Sequence, residues 1–251
     1  MGNRTNMEKI NKIIIGKTKE ALAEEGARLF AEIVKRVAAT GQECMIALSG
    51  GSTPRKMHAL LGQDPYGSRI PWNRVHLFWG DERCVPADSR WSNYGGVRED
   101  LLDFIDIPAE NIHPMPCQLP PEEGAVRYEK EIPDVFDLVF LGLGADGHTA
   151  SLFPGHGALG EQKRRVVPLT GGEPDVPRLT MTFPVINKAR NVVFVVSERE
   201  KAEVVKHVLE DRDTRFPAAH VFPVAGSLIW IVDREAVSRL SKEVISAFQT
   251  Q

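Results

Sequence analysis

One imidazole in this chain stands where it could move a proton. His148 lies in the stretch F-D-L-V-F-L-G-L-G-A-D-G-H-T-A-S-L-F-P, residues 136–154, close to Asp146, Thr149 and Ser151. Of these side chains only imidazole exchanges a proton near neutral pH without a large change in pKa. Residues 136–141 are an almost unbroken apolar run, which reads as a parallel strand covered on both faces. Gly142, Gly144 and Gly147 follow it. A strand that ends in glycines delivers the next residues to the carboxyl edge of a sheet, where open α/β sheets bind ligands. The same glycines also suit a plain tight turn with His148 packed beside it, and these residues alone leave both readings open.

Gly142-x-Gly144-x-x-Gly147 matches the dinucleotide fingerprint letter for letter. That fingerprint needs a long helix directly after it. Pro154 stops any helix after about two turns, because proline lacks the N–H and clashes with the preceding turn. A nicotinamide or flavin site is therefore not expected.

A second turn has the chemistry of an anion cradle. Ser49, Gly50, Gly51, Ser52 and Thr53 follow the short apolar run 44–48, and Thr53 and Pro54 suit the cap and first turn of a helix. Backbone N–H groups at such a start point at an anion, and the helix dipole favours it. An ordinary capped turn would use the same residues. Asp81, Glu82 and Arg83 follow another apolar run, 75–80. Such a cluster is commonly a solvated loop, but its place after a parallel-type strand turns at least one charge towards a cleft.

Lys201 is out of pattern. Residues 197–200, S-E-R-E, read as a capping box. Ala202, Val204, Val205, Val208 and Leu209 then form an apolar stripe that contains Lys201 in its first turn. This is the wrong face for a lysine and the wrong end of the dipole for a cation. A bound anion resolves the conflict; so does a side chain that snorkels to water.

The remaining elements frame these residues. Residues 18–40 predict an amphipathic helix burying Leu22, Gly26, Leu29, Phe30, Ile33, Val34 and Val37, ended by Gly41. Residues 93–104 look helical. Residues 107–119 are a proline-rich connection in which His113 is structural, and 120–131 are a short helix. Glycine- and proline-rich loops at 155–160 and 171–177 flank a short segment at 166–169 and suggest a lid or substrate-entry loop. Residues 178–183 alternate as a strand that begins with Arg178. Buried strands follow at 191–196 and 227–232, then an amphipathic helix at 234–248. Alternating strands and helices predict an α/β, doubly wound, mainly parallel sheet with helices on both faces.

Composition narrows the function. At 251 residues, 42% hydrophobic and 26% charged, the chain suits one large α/β domain or two small ones. A net charge of −3 without a basic block gives nucleic acid and acidic membranes no electrostatic purchase. The three cysteines, Cys44, Cys84 and Cys117, lack metal spacing and read as reduced thiols of a cytoplasmic protein. The opening residues 1–12 are polar, and no apolar run approaches about 18 residues, so neither secretion nor membrane spanning is expected. His148 and His156 have no acidic or cysteine partner at zinc-like spacing, so no metal site is expected.

Together the segments resemble the 6-phosphogluconolactonase family. The matching pieces are A-L-S-G-G-S-T-P at 47–54, G-D-E-R-C-V-P at 80–86, G-L-G-A-D-G-H-T-A-S-L-F-P at 142–154, P-R-L-T at 177–180, E-K-A-E at 200–203 and G-S-L-I-W-I-V-D at 226–233. They come in the family's order. The glucosamine-6-phosphate deaminase family is similar in fold and shares D-G-H, but carries an aromatic residue where Arg83 stands here.

The resemblance implies one Rossmann-like three-layer domain over residues 1–251. It implies hydrolysis of the δ-lactone of 6-phosphogluconate, a small phosphorylated sugar lactone, with no cofactor. His148 is then the general base that activates water, and Arg83 stabilises the developing oxyanion with backbone help near Gly147. Asp81 orients Arg83, His148 or a sugar hydroxyl. The phosphate is expected among Ser49, Gly50, Gly51, Ser52, Thr53, Arg178 and Lys201. A sugar-phosphate deaminase and a non-catalytic sugar-phosphate sensor are the alternatives. The oligomeric state is left open and is compatible with a monomer.

Overall fold

The structure, a computed structural model, describes residues 10–249. The polar opening stretch discussed above falls largely in residues 1–9, outside the described residues. The strands are β1 (Ile10–Gly16), β2 (Cys44–Leu48), β3 (Val75–Trp79), β4 (Asp81–Arg83), β5 (Ile112–His113), β6 (Leu138–Leu141), β7 (Val166–Gly171), β8 (Val176–Met181), β9 (Asn191–Val196) and β10 (Ser227–Asp233). The helices are α1 (Lys19–Ala38), α2 (Ser52–Leu61), α3 (Tyr66–Arg69), α4 (Asn93–Asp100), α5 (Pro121–Glu131), α6 (Phe183–Ile186), α7 (Ala202–Lys206) and α8 (Lys242–Gln249).

A seven-stranded, all-parallel sheet runs in the order β1-β10-β9-β6-β2-β3-β5. This is the α/β, mainly parallel, Rossmann-like three-layer architecture expected from the sequence. Its inner strands are apolar on both faces because both are covered: Leu138, Val139, Phe140 and Leu141 are all fully buried. From β2 the chain winds outward through β3 to β5. From β6 it winds the other way through β9 to β10. The neighbours β2 and β6 therefore form the topological switch point, and a crevice opens beyond their carboxyl ends. Phe30 of α1 stacks on Phe140 of β6, and Trp230 on Phe194, which lock helix to sheet and β10 to β9.

A small antiparallel sheet, β4-β8-β7, stands apart from the main one. It pairs Arg83 directly with Arg178. The segment expected as a lid at 171–177 is the turn of the β7–β8 hairpin, and the loop at 155–160 contains a 3₁₀ turn at Gly157–Gly160.

Several local expectations are corrected. β1 was not foreseen, because lysine and asparagine interrupt its isoleucines. Thr53 does not cap α2: Gly51 takes that position at φ +105°, and the Thr53 hydroxyl pairs instead with Ser197 Oγ at 2.8 Å. The capping box at 197–200 does not form. Glu198 sits at φ +89° with its carboxylate on Lys19, and a 3₁₀ turn, Arg199–Lys201, precedes α7. Residues 234–240 are turns, and the last helix begins only at Lys242. Residues 93–104 divide into α4 and a separate 3₁₀ turn, Leu102–Phe104.

Candidate active site

The carboxyl ends of β2, β3, β6 and β9 surround a cavity of about 280 Å³. Ser49, Gly50, Gly51, Ser52 and Thr53 line it from β2, Asp81 and Arg83 from β3 and β4, His148 from β6, Lys201 from β9 and Arg178 from β8. Residues far apart in sequence thus share one hollow, because parallel strands place their carboxyl ends along one edge. Gly147 is the expected site residue that does not line it. At φ +81° its Cα faces the Phe216 ring, where an added Cβ would lie 2.5 Å from the nearest ring carbon.

The glycine turn serves the imidazole. The Gly144 N–H donates to His148 O at 2.8 Å, folding residues 144–148 back on themselves. His148 Nδ1 lies 2.6 Å from Asp146 Oδ1, and the His148 backbone N–H donates to that oxygen at 3.1 Å. The pair packs against the bare Cα of Gly144: a Cβ there would lie 2.1 Å from Nδ1 and 2.5 Å from Oδ1. The glycine pattern that mimics a dinucleotide fingerprint makes room for a carboxylate–imidazole pair. No helix follows it, and Thr149–Leu152 close a short antiparallel bridge. Partial burial alone would raise the Asp146 carboxyl. The hydrogen bond from the His148 ring, the ring's charge and backbone N–H groups outweigh it and hold the carboxyl below its usual range. An ionised Asp146 can only accept, so it fixes the proton on Nδ1 and leaves Nε2 as the basic nitrogen. The Phe153 ring lies beside the imidazole, centroids 4.8 Å apart.

The three charges at 81–83 go three ways. Asp81 is buried and accepts from Ser151 Oγ at 2.6 Å and from Asn93 Nδ2 at 3.2 Å. Glu82 is buried and accepts the backbone N–H groups of Arg83, Asn93 and Tyr94 and the Ser92 hydroxyl. It thereby caps the start of α4. Burial pushes the Glu82 carboxyl up, against those same N–H bonds. Arg83 faces the cavity, and its Nη1 donates to Asn93 Oδ1 and to Trp91 O. Asp81 therefore connects to Arg83 through the Asn93 amide. Gly50 allows this, because a Cβ there would fall 1.8 Å from Asn93 Oδ1.

Arg178 is buried at 3% exposure. Its Nε donates to Gly171 O at 2.6 Å and its Nη2 to Pro174 O at 3.1 Å, and it lies over the Phe153 ring at 5.4 Å. Burial, then the nearby Arg83 charge, lower its pKa. Lys201 is half-buried on the cavity wall, and its ammonium has no ion pair among the described residues. Three cationic side chains thus meet one imidazole and a buried aspartate. Among the described residues no group of three or more His, Cys, Asp or Glu side chains could hold a metal ion.

Asp146 and Asn93 are the partners whose roles were not legible beforehand. The Asp-x-His spacing across a glycine turn is a usable signal for the first. Asn93 sits at the start of α4 with nothing in its neighbourhood that points to Arg83.

The family model described as glucosamine-6-phosphate isomerases/6-phosphogluconolactonase matches residues 17–230. The chain belongs to this family. It is similar to the 6-phosphogluconolactonase of Synechocystis sp., 41% identical over an alignment of 221 residues that covers 83% of this chain and 89% of that protein. The human 6-phosphogluconolactonase is 40% identical over an alignment of 209 residues that covers 78% of this chain and 80% of its own. The solved structure of the 6-phosphogluconolactonase from Trypanosoma brucei superposes with a TM-score of 0.81 at 32% identity, covering 92% of this chain and 98% of that one. Within the glucosamine-6-phosphate isomerase/6-phosphogluconolactonase family, the segments that carried the resemblance at 47–54, 80–86 and 142–154 all contribute to the one cavity. No helix among the described residues is long and apolar enough to cross a membrane.

Proposed function

We propose that this chain hydrolyses 6-phospho-D-glucono-1,5-lactone to 6-phosphogluconate, a reaction of the oxidative pentose phosphate pathway, with His148 as general base. The observation that carries the reading is the Asp146–His148 pair opening into the same cavity as Arg83, Arg178 and Lys201. A proton acceptor and an anion-holding wall in one hollow fit a reactive ester with a remote phosphate.

His148 Nε2 takes a proton from water as the water oxygen attacks the lactone carbonyl. Help of this kind is worth about 10²–10⁴-fold. The imidazolium is stabilised by Asp146, then returns the proton to the ring oxygen as the C–O bond breaks. Arg83, oriented by Asn93, faces the carbonyl oxygen as it gains charge. Asp81 is hydrogen-bonded to Ser151 and Asn93, and its role is to hold the Arg83 wall. The phosphate lies among the turn at 49–53, Arg178 and Lys201, whose ammonium has no ion pair among the described residues. The free thiols of Cys44, Cys84 and Cys117 support a cytoplasmic location.

The deciding measurement is the hydrolysis rate of freshly generated 6-phosphogluconolactone above its spontaneous opening, with the unphosphorylated lactone as control. Strong acceleration of the phosphorylated compound alone is expected. Equal acceleration of both would remove the phosphate wall, and ammonia release from glucosamine 6-phosphate in place of lactone hydrolysis would replace the reaction.

A further inference from the structure

Two thiols distant in sequence touch behind the cavity wall. Cys84 follows Arg83, and Cys117 lies on the loop that leaves β5, yet their sulfurs are 2.8 Å apart. Backbone bonds fix both. The Cys84 N–H donates to Pro177 O at 2.8 Å, and the Cys117 N–H donates to Met115 O at 2.8 Å. Pro177 precedes Arg178, so the pair is tied to the backbone that presents both cavity arginines. Both thiols are half-buried and within reach of a small oxidant. Cys44 is the contrasting case, fully buried, with its thiol pushed up to about 12 by that burial.

We propose that Cys84 and Cys117 form an oxidisable dithiol, a modification site that takes a peroxide or a small disulfide as its two-electron oxidant and lowers activity through the Arg83 segment. The Cys84 and Cys117 sulfurs share one S–H···S hydrogen bond. That bond holds the Cys84 thiol below its ordinary range, and the same bond, with burial, raises Cys117. Cys84 is therefore the attacking sulfur and Cys117 the resolving one. With hydrogen peroxide, the Cys84 thiolate attacks one oxygen, the O–O bond breaks, and hydroxide leaves with the displaced electron pair. Cys117 then attacks the sulfenic sulfur, forming the S–S bond and releasing the sulfenic oxygen as water. Overall two thiols and one peroxide give one disulfide and two waters, with two electrons passing from sulfur to oxygen. A dithiol reductant reverses the step.

A disulfide draws its sulfurs to about 2.05 Å, which pulls the residue after Arg83 towards the β5 loop by under an ångström. Displacements of about 1 Å can cost up to 10²-fold in rate. This effect on activity rests on the lactonase reading; the formation of the disulfide does not.

The test treats the full-length protein with hydrogen peroxide, then maps thiols by alkylation and peptide mass. The expected result is one disulfide joining Cys84 to Cys117, Cys44 still alkylatable under denaturing conditions, and kcat/KM for the lactone lowered about tenfold and restored by dithiothreitol. Cys117→Ser and Cys117→Ala should keep the untreated rate and lose the reversible inhibition. The proposal is overturned if Cys84 and Cys117 both remain alkylatable, if the mapped disulfide leaves activity intact, or if the reversible inhibition persists in both Cys117 variants. A protein without lactonase activity that still forms the disulfide would instead sink the lactonase reading alone.

Discussion

His148 Nδ1 and Asp146 Oδ1 lie 2.6 Å apart, and the same oxygen accepts the His148 backbone N–H. A single carboxylate oxygen thus sets both the position of the loop and the tautomer of the ring. Asp146→Asn keeps the shape but can present an N–H to the ring and reverse the tautomer. The expected result is a fall in kcat of roughly 10²-fold or more with KM little changed. Steady-state kinetics on the lactone would check it, and an unchanged kcat would remove Asp146 from the mechanism.

Lys201 is expected to hold the distant anion. Lys201→Ala should raise KM about tenfold or more, the worth of a charge-assisted hydrogen bond, while kcat holds. The control is the unphosphorylated lactone, on which the variant and the parent should differ little. An unaltered KM would mean that the lysine only snorkels.

Gly144→Ala tests the reading of the glycine turn. The new Cβ would overlap the His148 ring and the Asp146 carboxylate, so kcat should fall at least as far as in Asp146→Asn, while circular dichroism stays close to that of the parent. A fully active variant would show that the turn yields and that the bare Cα is not needed.

Much of this arrangement was legible in the sequence, and the reason is one of scale. Parallel strands buried on both faces announce themselves as apolar runs, so 44–48, 75–80, 136–141, 191–196 and 227–232 all mark strands. The residue types that end those strands then mark the cavity. What escaped was decided by tertiary partners. Thr53 and residues 197–200 have the local chemistry of helix caps, but the Thr53 hydroxyl is taken by Ser197 across the switch point. The glycine- and proline-rich turn of the β7–β8 hairpin is gripped by a guanidinium from the hairpin's own Arg178, a partner that its composition does not announce. Asn93 carries no local sign of its task, since the Arg83 and Asp81 groups it joins stand ten and twelve positions away.

His58 gives the protein an acid sensitivity separate from catalysis. It is fully buried on α2, neither ring nitrogen has a hydrogen-bond partner among the described residues, and burial lowers its pKa to about 4. The unfolded chain takes up this proton near pH 6.5, whereas the folded one does so only near pH 4. Stability from this group is therefore complete above the unfolded value, falls as pH drops through that window, and levels off below it. The loss amounts to about 3 kcal/mol. His58→Leu should flatten the dependence of Tm on pH between these limits. A variant whose Tm tracks pH as steeply as the parent's would refute the assignment.

Glu82 is the buried cap of α4. Glu82→Gln replaces one acceptor oxygen with a donor that faces N–H groups, and should destabilise the fold by about 1–3 kcal/mol. Urea unfolding measures it. Because Asn93 begins α4, the same variant should lower kcat through Arg83; loss of stability with unimpaired kcat would separate the cap from the site.

Arg178 donates through Nε to Gly171 O and through Nη2 to Pro174 O, lies over the Phe153 ring, and lines the cavity. The length of the hairpin turn is thereby tied to the charge available to the ligand. An insertion of even one residue between 171 and 174 would misplace one of the two carbonyls and let the guanidinium swing, so a loop at the surface, ordinarily free to vary in length, is here held to a fixed gauge.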